Sequence, residues 1–157
     1  MRLTSTVIQQ GSEIPVQYTS DGENISPELS WQDFPGKTQS FVLIVHDPDA
    51  PRPGGFTHWV LYNIPSTTTH IGENISHDEQ VARLGLQGKN DSGKIGYIGP
   101  APPSGTHRYF FRLFAIDKML DLPPGATHKE ISAAIKGHIL AQSELMGTYE
   151  KKSERAA

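Results

Sequence analysis

The chain has 157 residues, 14 basic and 17 acidic side chains for a formal net charge of -3, and no cysteine. That excludes disulfides, thiolate metal sites and cysteine nucleophiles, and without a basic block the electrostatic footprint of a nucleic-acid binder is missing. No apolar run approaches the ~20 residues of a membrane span, and the opening MRLTSTVIQQGSEIP lacks the apolar stretch of a secretory signal.

The expectation is therefore one cytoplasmic domain over residues 1–157, with a frayed tail at about 151–157. Fifteen glycines and twelve prolines point to a turn-rich, mainly β fold.

In chain order, Leu3 to Ile8 alternates loosely and reads as a first strand, and Glu13 to Thr19 as a second, with Pro15 marking an edge. SDGENISPELSW is turn-rich. Ser40 to Asp47, SFVLIVHD, is a continuous apolar strand expected to be covered on both faces. Thr57 to Pro65 is a strand ended by a proline. The polar stretch from Thr69 to Tyr97 reads as loop with short pieces of regular structure. Thr106 to Asp117 is the longest strand: His107, Tyr109, Phe111, Leu113 and Ala115 share one face, and Arg108, Phe110, Arg112 and Phe114 the other.

After Pro124 the period changes. Thr127 and Glu130 form a capping-box pattern. Ile131, Ala134 and Ile135 start a helical stripe that continues by spacing through His138, Ile139 and Leu145, weakened at Gly137. The architecture expected from this pass is β first, with helix at the end, in one domain.

Polar side chains gather at three loop-strand junctions: DPDAP with Asp47 and Asp49, FTHW with His58, and GPAPPSGTHRY with His107 and Tyr109. If the strands beginning at His58 and His107 both run antiparallel to Phe41–Val45, all three lie at one end of the sheet. Singly, each residue has a structural explanation: a satisfied histidine, an Asx turn at Asp47, a core tyrosine. Together, beside two proline-fixed loops, they make up a small polar pocket. Imidazoles and a phenol can donate to an anion, and backbone amides near Gly99 could add a nest. Asp47 would repel an anion directly, so its use is to orient or charge a histidine. His46 and Trp59 alternate away from the site. No compact metal motif is present, no elbow surrounds Ser104, and the reading calls for no cofactor and no metal.

These junctions resemble the phosphatidylethanolamine-binding protein family, which includes the Raf kinase inhibitor proteins. DPDAP at 47–51, HW at 58–59 and GPAPPSGTHRY at 99–109 carry the resemblance, with SPELSW at 26–31 and the C-terminal AIKGHILAQSELMGTYEK, which looks like the bacterial and archaeal branch. The resemblance implies an anion pocket with Asp47, Ala50, Pro51 and His58 on one side and Gly99, Pro102, Pro103, His107 and Tyr109 on the other. It implies a mainly β fold, a central antiparallel β-sheet packed on a smaller sheet with a C-terminal helix, a cis Ala50–Pro51 bond, and a pocket more open than in animal members. It also implies a non-enzymatic binder of phosphoryl groups, from a phospholipid headgroup or a phosphorylated partner such as a kinase, with a regulatory, kinase-inhibitor-like role and a possible homodimer. The alternative is a hydrolase using a His/Asp pair at the same pocket.

Overall fold

The computed structural model describes residues 1–152. Its strands are β1 (Arg2–Thr4), β2 (Leu29–Gln32), β3 (Ser40–Asp47), β4 (Phe56–Pro65), β5 (His70–Ile71), β6 (Gln80–Val81), β7 (Gly85–Gln87), β8 (Thr106–Ile116) and β9 (Ile139–Glu150), with one helix, α1 (His128–Ile135). They form a six-stranded sheet in the order β6-β7-β4-β3-β8-β9 and a three-stranded sheet in the order β1-β2-β5. Every named pairing is antiparallel. The mainly β class and the large-on-small sheet arrangement are as the sequence led us to expect.

β3 is central, paired to β4 on one side and β8 on the other. All eight of its residues are buried, which accounts for its unbroken apolar run. Phe41, Leu43 and Val45 face the small sheet, where they meet Leu29, Trp31 and Leu113 in the larger core. Val42 and Ile44 face the other way and are covered by Ile131 and Ile135 of α1. Burying each such side chain contributes roughly 1.5–3 kcal/mol. β8 alternates as expected: His107, Tyr109, Phe111, Leu113 and Ala115 are buried, and the residues between them are more exposed.

The helix is shorter than its sequence stripe. Thr127 caps it, with the reciprocal Glu130 bonds in place. It ends at Ile135, followed by Gly137 at φ 83°. Residues 139–150 then form β9, antiparallel to β8 from Ile116↔Ile139 to Thr106↔Glu150. Leu145 and Tyr149 are thus buried by a period of two, not as part of a helical stripe. The pairing with eleven-residue β8 satisfies the β9 backbone and overrides the helical pattern.

The N-terminal expectations are trimmed. Only Arg2–Thr4 of the first candidate is a strand, and the second is a 3-10 turn at Val16–Tyr18. Residues 11–14 instead bond the free edge of β9, Gly11 N–H to Met146 O at 2.7 Å and Ile14 N–H to Thr148 O at 2.7 Å. Of the expected frayed tail, Lys152 is held: its amide donates to Asp21 and its ammonium pairs with Glu13. Residues 153–157 lie outside the described residues. No helix among the described residues is long and apolar enough to cross a membrane.

Candidate functional site

The β3–β4 connection turns on short bonds. Asp49 N–H donates to Asp47 Oδ1 at 2.7 Å, Arg52 N–H to Ala50 O at 2.7 Å, and Gly55 N–H to Arg52 O at 3.1 Å. Gly55 has φ 77°, and a Cβ there would stand 2.3 Å from Asp47 O, so only glycine fits. The Ala50–Pro51 bond is trans, as no cis peptide occurs among the described residues, which corrects the expectation of a cis bond. The Arg52–Ala50 bond closes a tight turn about Pro51, whose fixed φ suits it, so the loop is stiff without the less favoured isomer. Asp49 also grips β8. Its carboxylate accepts from Arg108 Nε, a terminal Arg108 nitrogen and the Arg108 amide, each at 2.9 Å, and this holds its pKa down at about 2.

The second loop is anchored just as closely. Ile98 N–H donates to His58 O, Ser20 N–H to Pro100 O, and Gly99 N–H to Asn24 Oδ1 at 2.7 Å. Gly99 is therefore not an anion nest, because its amide is already used. Its lack of a side chain serves packing: a Cβ would lie 2.5 Å from Tyr18 O.

Between these loops lies a cavity of about 340 Å³. Asp47, Ala50, Pro51 and His58 line it together with Gly99, Pro102, Pro103, His107 and Tyr109, so the structure brings together all nine residues of the expected pocket, while Asp49 turns to Arg108 instead. Arg52, Phe56, Ile98 and Ala101 complete the lining and were not singled out. Arg52 sits inside DPDAPRPGG, and a cation within that carboxylate-rich loop was the signal to notice; its guanidinium lies 5.4 Å from the Phe56 ring centre. Phe56 and Ile98 carry no chemical signal in sequence.

His58 reaches the cavity through a β-bulge. Val45 pairs with Trp59 but His46 pairs with Thr57, leaving His58 as the extra residue. Trp59 packs in the same core as Tyr109, and the His58 ring lies 5.3 Å from the Tyr109 ring. The two neighbours therefore point to the same side, which corrects the alternation expected for them. His46 does face away, its Nδ1 3.0 Å from Thr57 Oγ1.

The polar atoms fall into two kinds. His107 Nδ1 donates to Asp47 Oδ2 at 2.7 Å, which turns Nε2 of His107 away from the carboxylate. Tyr109 is 1% exposed; its hydroxyl makes no well-formed hydrogen bond, and the Asp47 carboxylate is the acceptor close to it. Burial, then the nearby Asp47 charge, pushes its pKa well up and keeps it a neutral donor. His58 is the reverse. Its Nδ1 donates to Ile98 O at 2.7 Å, and burial lowers its pKa to about 4, so it is neutral and its free Nε2 accepts. The expectation that both histidines donate therefore fails at His58 in the neutral pH range.

A mainly antiparallel β fold with a preformed cavity at one sheet end defines a recognisable class. Residues 4–150 match the sequence profile of the phosphatidylethanolamine-binding protein family, and the chain belongs to that family. It is 48% identical to a UPF0098 protein of Methanothermobacter thermautotrophicus, over 96% of this chain and 99% of the relative. It is 47% identical to a UPF0098 protein of Aquifex aeolicus, over 96% and 89%. Among solved structures it is similar to a phosphatidylethanolamine-binding protein homologue from Chlamydia trachomatis, with a TM-score of 0.88, 40% identity and 96% and 97% of the two chains covered. It is also similar to YbcL of E. coli, described as a member of the mammalian family, with a TM-score of 0.88, 30% identity and 96% and 98% covered.

Proposed function

We propose that this protein is a non-enzymatic binder of small oxyanions, above all a phosphoryl group, taken up in the cavity between residues 47–58 and 98–109. The group belongs to a phospholipid headgroup or to a phosphorylated side chain of a partner protein. Binding then serves a regulatory purpose, by presenting or masking a surface, in the manner of the kinase-inhibitor proteins of the family.

The observation that carries this reading is the Tyr109 hydroxyl, buried without a partner and lining the cavity. A buried donor left unpaired costs about 1–3 kcal/mol, and a bound oxygen would recover that cost. Arg52 supplies a positive charge in the lining, and His107, held by Asp47, forms part of the wall. The tight turns around Pro51 fix the wall beforehand, which lowers the ordering cost of binding.

The Asp47–His107 pair is also what a general base would use, so a hydrolase is the second reading. Amide NMR titration with phosphate, phosphoethanolamine and acetate, on wild type and His107→Ala, tests the first. Saturable shifts at 47–58 and 98–109 that the variant loses support it; no clustered shifts at millimolar ligand overturn it. Release of 4-nitrophenol from 4-nitrophenyl phosphate would move the assignment to the second.

A further inference from the structure

We infer that the cavity selects phosphomonoesters over phosphodiesters, because its His58 contact calls for a proton on the ligand. The inference rests on the phosphoryl-site reading and narrows it.

The argument starts from the Ile98 carbonyl. A carbonyl oxygen only accepts, so the 2.7 Å contact places the proton on Nδ1 of His58. The other nitrogen, Nε2, is then a bare lone pair. The ring is 5% exposed, wedged between Phe56 at 4.8 Å and Tyr109 at 5.3 Å, and lines the cavity. No protein donor reaches Nε2 among the described residues. Burial among these rings keeps the imidazole uncharged.

Asp47 points the same way. It is 2% exposed, and both of its oxygens are engaged, one by His107 and one by the Asp49 amide. Its negative charge stays in the cavity wall and disfavours a dianion beside it. Against these acceptors stand two donors in the lining, the Tyr109 hydroxyl and the Arg52 guanidinium. A matching ligand therefore shows bare oxygens to Tyr109 and an O–H to His58.

A phosphomonoester monoanion has both, since its second pKa is about 6. A phosphodiester and a sulfate ester have no O–H. Either would set an anionic oxygen against the His58 lone pair and leave a buried acceptor unpaired, a mismatch of about tenfold or more in affinity. A phosphorylated side chain is a monoester; an intact phosphatidylethanolamine headgroup is a diester.

The test is amide NMR titration of the full chain at pH 5.5 with methyl phosphate, methyl sulfate and dimethyl phosphate. All three are then predominantly monoanions, and methyl phosphate alone carries an O–H. The expected result is methyl phosphate binding at least about tenfold more tightly than either comparator, with shifts at 47–58 and 98–109. In His58→Phe the advantage disappears. Equal affinities in wild type overturn the inference and leave the phosphoryl site standing. No saturable shifts with any ligand overturn both. If His58→Phe does not fold, the wild-type comparison decides alone. A short phosphoserine peptide and phosphoethanolamine, titrated in the same way, separate a phosphorylated side chain from a free headgroup as the source.

Discussion

Asp49 and Arg108, 59 residues apart, meet through two side-chain bonds of 2.9 Å and a third from the Arg108 amide. They tie the first wall of the cavity to the strand that carries His107 and Tyr109. The pair is largely exposed, so its effect on global stability is small and weakened by salt. Its effect is local. Arg108→Ala is expected to speed amide exchange at residues 49–52 and to weaken phosphate binding several-fold, with little change in the denaturation midpoint. Because Asp49 is lowered in the folded state, the clamp is fully present above the unfolded carboxylate value near 3.9 and is lost as pH falls through about 2. The loop should show no opening between pH 8 and 5.

His58 titrates in the opposite context. Its folded pKa is lowered from 6.5 to about 4 by burial, so below 6.5 the unfolded chain binds a proton that the folded chain refuses. Stability is fully present above pH 6.5 and falls as pH drops from 6.5 toward 4, by roughly 3 kcal/mol across that window. His46 and His128 are lowered too and add to the same loss. Urea denaturation at pH 7 and pH 5 measures the whole, and the smaller pH dependence expected of His58→Phe isolates one part.

Tyr109→Phe separates binding from stability. The hydroxyl makes no bond in the folded protein, so removing it relieves a buried unpaired group. Unfolding free energy should stay equal or rise by up to about 1 kcal/mol. Phosphate affinity should fall about tenfold or more. A clear loss of stability would mean that the hydroxyl has an internal partner and is not waiting for a ligand.

Gly99→Ala tests the second wall. The new Cβ would lie 2.5 Å from Tyr18 O and 2.6 Å from Asn24 Oδ1. Backbone cannot yield cheaply, so a destabilisation of about 1–3 kcal/mol is expected by chemical denaturation. Residues 98–101 should shift in the amide spectrum along with residues 18–24.

Much of this site was legible because its residues stand at strand ends, where turn chemistry and period-two patterning are strong signals. The β8 faces followed from those rules; the antiparallel placement of β4 and β8 about β3 was a condition that the sequence posed and the strand pairing meets. What escaped was set by partners far along the chain. The His58 bulge has no local mark in FTHW; it exists only in the register against Val45 and His46. The tautomer of His58 depends on the Ile98 carbonyl, forty residues away, and its neutral state on burial among side chains from other strands. Residues 139–150 carry a workable helical stripe, and β8 decides against it. Gly99 looked like a place for an anion to approach, whereas Asn24 already fills that position.

β8 lies between β3 and β9, and Tyr149 donates to Asp21 at 2.7 Å. This fixes when the cavity can first exist. On the ribosome, a nascent chain that has emerged only as far as Pro65 can form the β3–β4 hairpin and pack Trp31 on Phe41, yet it has no His107 for Asp47 and no β8 beside β3. The hairpin must wait while some forty further residues are made, at 5–20 residues per second. Pairings this distant also fold slowly. A stalled or clipped product would thus carry the DPDAP loop without a binding site, and the ligand can report only on chains that have been completed past β8.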